Sequence, residues 1–205
     1  MKLTEYGKLW YGGIFKPTEA IKRIQKEKPG TKEGLTSVVL LSLVIGVVFG
    51  TIGTFAGTED VVMLWTSSLI LIPILAAICL LLFAGIFRFV ANNFKGKAKF
   101  DETVGFFGIY AGVIVVAMVP LAIFNAVAGA VADATFALLL VAIGTLGTAM
   151  LSGVASGLLY EVLSSIEKTK LPRTGLIYGT TTGLITVLLM VIVALLMPSL
   201  AAYMM

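Results

Sequence analysis

The architecture of this chain follows from residues 61–102, which read VVMLWTSSLILIPILAAICLLLFAGIFRFVANNFKGKAKFDE. A long apolar run passes directly into a basic segment. A bilayer core about 30 Å thick needs roughly 20 mostly apolar residues in a helix. Residues 61–90 exceed that length, and four further runs do so at 35–56, 103–128, 135–163 and 174–203. We therefore predict an all-α integral membrane bundle of five transmembrane helices.

The composition supports a membrane class. Of the 205 residues, 59% are hydrophobic and 13% are charged, whereas soluble domains average about 25% charged residues. No length remains for a second globular domain. We therefore divide the chain into a cytoplasmic or interfacial N-terminal segment at residues 1–34 and a five-helix transmembrane domain at residues 35–205.

The basic residues alternate with the apolar runs. All 15 Lys and Arg lie in residues 1–34, 88–102 or 161–173. The only charged residues of the two intervening connections are acidic: Glu59, Asp60 and Asp133. Cytoplasmic loops are enriched in Lys and Arg. The N-terminus should thus be cytoplasmic and the C-terminus outside, in a cell membrane. No Ala-x-Ala site follows the first run, so the N-terminal segment should stay attached.

The N-terminal segment contains two apolar patterns. Residues 3–15 are apolar and aromatic but too short to span, which predicts an interfacial segment. Residues 17–28, PTEAIKRIQKEK, predict a short amphipathic helix that begins at Pro17. This helix should lie on the anionic inner leaflet or dock on the bundle, and a solvated linker is the alternative. The candidate residues for binding a protein partner or lipid are Trp10, Lys22, Arg23, Lys26 and Lys28.

Glycines recur at four-residue spacing inside the apolar runs, and such spacing lets helix backbones approach closely. Packing within one subunit is favoured over homo-oligomerisation. The most regular series is interleaved with Thr181, a candidate intramembrane polar residue. The spaced glycines are Gly46 and Gly50, Gly53 and Gly57, Gly108 and Gly112, Gly153 and Gly157, and Gly175, Gly179 and Gly183.

Ionisable residues at membrane depth are functional candidates by default. Arg88 and Glu161 lie toward the inner ends of the second and fourth predicted spans. They could meet as an ion pair or reach the interface separately. Pro73 and Pro120 lie well inside the second and third spans, where each removes a backbone donor and can kink its helix.

No catalytic constellation is evident. The chain has no His and a single cysteine, Cys79, which excludes a Ser-His protease, a zinc metalloprotease helix and an intramolecular disulfide. A couple of Ser164 or Ser165 with Lys168 lies in a connection with no evident pocket to desolvate the lysine. We predict no enzyme activity, no cofactor and no metal, and the basic residues form no recognisable nucleic-acid module.

Two segments resemble the Yip1-domain family of small five-span membrane proteins in its short, prokaryotic-type form. They are FKPTEAIKRI at residues 15–24 and NFKGKAKFDETVGFFGIYAGVIVVAMVP at residues 93–120. The resemblance implies a cytoplasmic N-terminus and five helices. Eukaryotic relatives imply membrane trafficking, prenylated Rab-type GTPases and bilayer shaping through a longer N-terminal region, of which WYGGIFKP would be a remnant. The residues that carry the resemblance are Pro17, Phe94, Gly96, Phe100, Thr103, Tyr110 and Pro120.

These observations favour a non-enzymatic membrane protein that acts through packing, lipid contact or partner docking at its cytoplasmic face, in a membrane-organising or trafficking-like role. One alternative is a transporter or channel for a small solute, with its path along the kinked second and third spans and the threonines at 180–182. Another is an accessory subunit of a membrane complex, which glycine-rich faces without internal partners would favour.

Overall fold

The structure, a computed structural model, describes residues 3–55, 60–129 and 134–204. It is 92% helix, and the described residues contain no strand. A π-helical turn at Ser67–Leu71 separates two of the helices. The helices are α1 (Leu3–Phe15), α2 (Pro17–Glu27), α3 (Thr31–Phe55), α4 (Val61–Thr66), α5 (Ile72–Asn93), α6 (Phe100–Gly129), α7 (Ala134–Glu167) and α8 (Leu171–Met204).

Four stretches of the described chain are long and apolar enough to cross a membrane. They are Thr31–Val48, Val61–Asn93, Phe100–Val119 and Thr135–Glu167, and they coincide with the first four predicted spans. The fifth predicted span falls on α8, whose side chains beyond residue 188 lie outside the described set. That span and the orientation of the bundle therefore stay predictions, and predicted outer residues such as Asp133 also lie outside the described residues.

The second span is interrupted where the sequence predicts a kink. Pro73 has no N–H to donate to the carbonyl four residues earlier, and its ring crowds that carbonyl. The chain responds with the π-helical turn, in which the N–H of Ile72 donates to the carbonyl of Ser67. This wider turn lets the helix continue through the proline.

α6 is the central helix and packs against α1, α3, α5 and α7. Its side chains at Val104, Phe106 and Val113 are fully buried. Phe107 contacts two rings of α5 edge to face, with ring centroids 4.8 Å from Phe83 and 5.1 Å from Phe87. Such edge-to-face pairs contribute roughly 0.5–1.5 kcal/mol each beyond area burial.

Close backbone contact joins α3 to α6. A Cβ added to Gly34 would meet the backbone of Val104 and Gly105, and one added to Gly108 would meet the backbone of Gly34. Farther along α3, the predicted packing residues Gly46 and Gly50 are buried. The first faces the carbonyl of Ser68 and the second faces the ring of Trp65.

The glycines of α7 and α8 behave differently. A Cβ at Gly153, Gly157, Gly179 or Gly183 would have no described neighbour within 4 Å, and one at Gly175 would meet only a ring carbon of Tyr160, at 3.9 Å. Among the described residues, these glycines therefore show no close backbone contact of the kind seen between α3 and α6, and their packing within one subunit stays a prediction. α8 instead buries the neighbouring face, formed by Thr174, Ile177 and Thr181.

Candidate functional site

The amphipathic helix α2 docks on the bundle. It packs against α1 and α7, and its buried residues are Ala20, Ile21 and Ile24, the apolar face of the predicted helix. The opposite face is exposed at Lys22, Lys26 and Lys28. Docking on the bundle is thus the placement that the structure adopts, with the lysines turned outward.

The polar groups of the other two candidate binding residues are engaged within the chain. Arg23 donates to Glu27 at 2.7 Å and to Glu5 at 3.1 Å, which joins α2 to α1. The hydrogen bond to Glu27 is the main reason that the pKa of Arg23 rises above its ordinary value.

Trp10 contributes to the packing of α1 on the bundle. Its ring N–H donates to the hydroxyl of Ser37 at 3.0 Å, and that hydroxyl donates to the carbonyl of Gly108 at 2.7 Å. Ser37 is fully buried. This relay links α1, α3 and α6, so the indole serves the fold rather than an exposed binding surface.

A buried ion pair lies where α5 and α7 end. The guanidinium of Arg88 donates to both carboxylate oxygens of Glu167, at 2.6 and 2.7 Å, and to the side-chain oxygen of Asn92 at 2.6 Å. The side chain of Glu167 is 0% exposed and that of Arg88 is 12% exposed. The sequence left open whether Arg88 pairs with Glu161 or the two reach the interface separately, and Glu161 is exposed in the structure. Six residues rotate a helix by roughly 240°, which puts the two glutamates on different faces.

Glu167 also fixes the connection between α5 and α6. Its carboxylate accepts the N–H of Ala98 at 3.1 Å, and its backbone carbonyl accepts the N–H of Lys97 at 3.2 Å. Gly96 lies so close to this carboxylate that an added Cβ would collide with it. The ion pair and these bonds hold the connection against the end of α7.

Three helices at this end finish with a lysine in the left-handed conformation. The φ angles are 44° for Lys28, 62° for Lys95 and 52° for Lys168. In each case the lysine N–H returns to a carbonyl of the last helical turn, as in the capping motifs where glycine is usual. A non-glycine residue pays a steric cost there, although a cation also favours the negative end of the helix dipole.

The ends of α2 and α7 and the α5–α6 connection enclose a cleft of about 200 Å³, which we call the lysine cleft. Four lysines against one glutamate leave three net positive charges on its lining. Within the described chain, none of these lysines forms an ion pair. The lining residues are Ile24, Gln25, Lys28, Pro29, Lys97, Lys99, Glu102, Ser165, Ile166 and Lys168.

The lysine cleft corrects one sequence interpretation and adds residues that the sequence did not single out. Ser165 and Lys168 were placed in a connection without a pocket, yet both line this cleft. Lys97 and Lys99 were not singled out, because their loop is held against α7 by bonds to Glu167, 69 residues away from Ala98 in the chain. The available signal in the sequence was the occurrence of three lysines, Lys95, Lys97 and Lys99, within five residues of the connection between two spans.

A second, apolar cleft of about 500 Å³ lies between α3, α5, α6 and α8, and its lining includes Leu41, Phe83 and the exposed Cys79. The predicted polar residue Thr181 does not line it. Thr181 is buried, and its hydroxyl donates to the carbonyl of Ile177 at 2.8 Å in its own helix. Among the described residues, no cluster of His, Cys, Asp and Glu could hold a metal ion.

Long apolar helices around a central helix, with an amphipathic helix docked at one end, define a multi-pass helical membrane protein. The model of the Yip1 domain matches residues 11–196, and the chain belongs to the Yip1 domain family, as its resemblance predicted. No curated protein and no solved structure matches this chain.

Proposed function

We propose that this Yip1-family protein is a non-enzymatic membrane protein that gathers anionic lipid at its cytoplasmic face and so organises the adjacent bilayer. The observation that carries the proposal is the way α2 is placed. Its apolar face is buried against the bundle, while Lys22, Lys26 and Lys28 are exposed. Each basic residue near an anionic surface contributes about 1 kcal/mol of attraction.

The test is lipid retention by the purified protein. The protein would be reconstituted into bilayers of phosphatidylcholine and phosphatidylglycerol and extracted in mild detergent, and the retained lipids would be quantified by mass spectrometry. Wild-type protein should retain phosphatidylglycerol above its share of the bilayer. Replacing Lys22, Lys26 and Lys28 by Ala should remove the enrichment, while replacing them by Arg should preserve it because the charge remains. Retained lipid that merely matches the bilayer composition would end the proposal.

A second candidate function, a subunit of a larger membrane assembly, is favoured by the open glycine faces. Gly153, Gly157, Gly179 and Gly183 have no described neighbour that an added Cβ would meet. Small residues on a lipid-facing helix permit close approach by another helix. Cross-linking in native membranes from cysteines placed beside Gly179 would test for such a neighbour, and an absence of cross-links would count against it.

The transport alternative receives less support. The π-helical turn does interrupt the second span. However, the hydroxyls of Thr181 and Thr182 donate to carbonyls of their own helix, and the apolar cleft offers few polar groups to a solute.

A further inference from the structure

We propose that the lysine cleft binds a phosphomonoester group, the doubly charged phosphate found in lipid headgroups such as that of phosphatidic acid and in small soluble phosphates. This inference rests on the proposed docking of anionic lipid at the same end of the bundle, and it names the ligand class and the site. It differs from general attraction because it predicts selectivity between anions of different charge.

The position of the cleft suits a phosphate at the membrane surface. α5 ends at Asn93, α6 begins at Phe100 and α7 ends at Glu167. The α5–α6 connection, the first turn of α6 and the last turn of α7 all contribute to the lining of the cleft. Lys97 and Lys99 lie in the α5–α6 connection and Lys168 directly follows α7, so each lies within three residues of a helix end. Lipid phosphates occupy the layer just outside the hydrocarbon core, whose thickness the apolar helices match.

The charge of the cleft suits a phosphomonoester better than a singly charged group. Its lining has three net positive charges, and a phosphomonoester has a charge of about −1.5 to −2 at pH 7. Lys binds phosphate as a compact point charge with several donors. Ile24, Pro29 and Ile166 provide apolar walls, which strengthen charge interactions by keeping water away.

The buried ion pair preserves this positive charge. Glu167 lies beside the α5–α6 connection that contains Lys97 and Lys99, and an unpaired carboxylate there would offset the charge of one lysine. Arg88 engages both of its carboxylate oxygens, and the N–H of Ala98 takes part of the remaining acceptor capacity. Glu167 therefore positions Lys97 and Lys99 while its own charge is balanced from the buried side.

The left-handed lysines provide a matched pair for a test. Lys28 and Lys168 line the cleft, whereas Lys95 has the same backbone conformation but does not line it. Glycine suits this conformation better than lysine. Lys→Gly changes at these positions should therefore fold at least as well as the wild type, and any loss of binding can be assigned to the ammonium group.

The experiment measures binding of short-chain phosphatidic acid, short-chain phosphatidylglycerol and inorganic phosphate to the delipidated, purified full chain by native mass spectrometry. The cleft variant is Lys28→Gly with Lys168→Gly. The control with equal charge loss is Lys95→Gly with Lys32→Gln, since Lys32 is exposed and does not line the cleft. We expect the wild type to prefer phosphatidic acid to phosphatidylglycerol. The cleft variant should weaken phosphatidic acid binding roughly 25-fold and abolish the preference, while the control should keep the preference.

The outcomes separate this inference from the proposed function. Equal losses in both variants, or a wild type without preference, would overturn the phosphate site and leave general lipid attraction intact. A wild type that binds neither lipid would overturn both. Competition by inorganic phosphate would support the site with a soluble phosphate as ligand, and selective binding without such competition would support it with a lipid headgroup as ligand.

Discussion

Glycines lie both at the contact between α3 and α6 and on the outward faces of α7 and α8, but only those at the first site are in close contact with another helix of the described chain. Where α3 crosses α6, Gly34 and Gly108 allow backbone to touch backbone, and Ser37 and Trp10 bond across the contact. On the outward faces, a Cβ added to Gly157 or Gly179 would meet no atom of the described chain within 4 Å. Four-residue glycine spacing therefore indicates that a helix can be approached closely, while the rest of the chain decides whether anything approaches.

The largest expected effect is loss of the buried ion pair between Arg88 and Glu167, where α5 and α7 end. Glu167→Gln should lower the free energy of unfolding by about 3–5 kcal/mol, because Arg88 keeps its charge in a buried site without a charged partner. Unfolding in mixed detergent micelles would measure it. Glu161→Gln, at an exposed position, should change stability by less than about 0.5 kcal/mol. Equal effects of the two substitutions would contradict the pairing.

Replacing glycine by alanine should lower the free energy of unfolding at the α3–α6 contact and raise it on the outward face of α7. Gly108→Ala should destabilise the fold by roughly 1–3 kcal/mol, because its methyl group would press on the backbone of Gly34. Gly157→Ala should stabilise α7 by up to about 1 kcal/mol through helix propensity. The same unfolding assay compares the two variants. A stabilising Gly108→Ala would show that α3 and α6 can separate at little cost.

The polar relay should have a smaller effect. Ser37→Ala leaves the indole N–H of Trp10 without its acceptor in a partly buried site, which should cost about 1–2 kcal/mol. Ser42→Ala is the control, because that buried hydroxyl donates only to the carbonyl of Val38 one turn earlier in its own helix. Thermal unfolding followed by tryptophan fluorescence would report both variants, and a cost for Ser42→Ala as large as for Ser37→Ala would argue against the relay.

The smallest expected effect on stability belongs to the open faces. Gly179→Leu should change the unfolding free energy by no more than about 0.5 kcal/mol, since Gly179 is exposed and no described atom lies within 4 Å of an added Cβ. If a second subunit covers this face, the same substitution should shift the protein toward monomer in light-scattering measurements. A strongly destabilised monomer would show that the face packs within the chain.

Much of the fold follows from local sequence pattern. The apolar run at 135–163 became α7 (Ala134–Glu167), and the run at 103–128 became α6 (Phe100–Gly129). The apolar face of α2 was predictable because three residues at helical spacing suffice to define it. Each of these features depends on residues close together in the chain.

The parts that sequence reasoning missed depend on distant contacts. The carboxylate of Glu167 pairs with Arg88 across 79 residues, and helix α7 had to extend four residues past its predicted apolar end to bring it there. A Cβ added to Gly34 would meet the backbone of Gly105, and one added to Gly105 would meet the backbone of Pro29 and Gly30. Neither Gly34 nor Gly105 belongs to a pair of glycines at four-residue spacing within one helix. The cleft lysines converge only after α2 and the α5–α6 connection have both docked on α7.

The π-helical turn at Ser67–Leu71 gives the second span two separate phases. One extra residue in a turn offsets everything on one side of it by about 100° relative to an uninterrupted α-helix. Deleting a single residue from this turn would leave the hydropathy of the span unchanged, yet it would swing Trp65 away from Gly50. An insertion or deletion at this turn would thus hardly alter the composition of the span, but it would change which residues face the neighbouring helices.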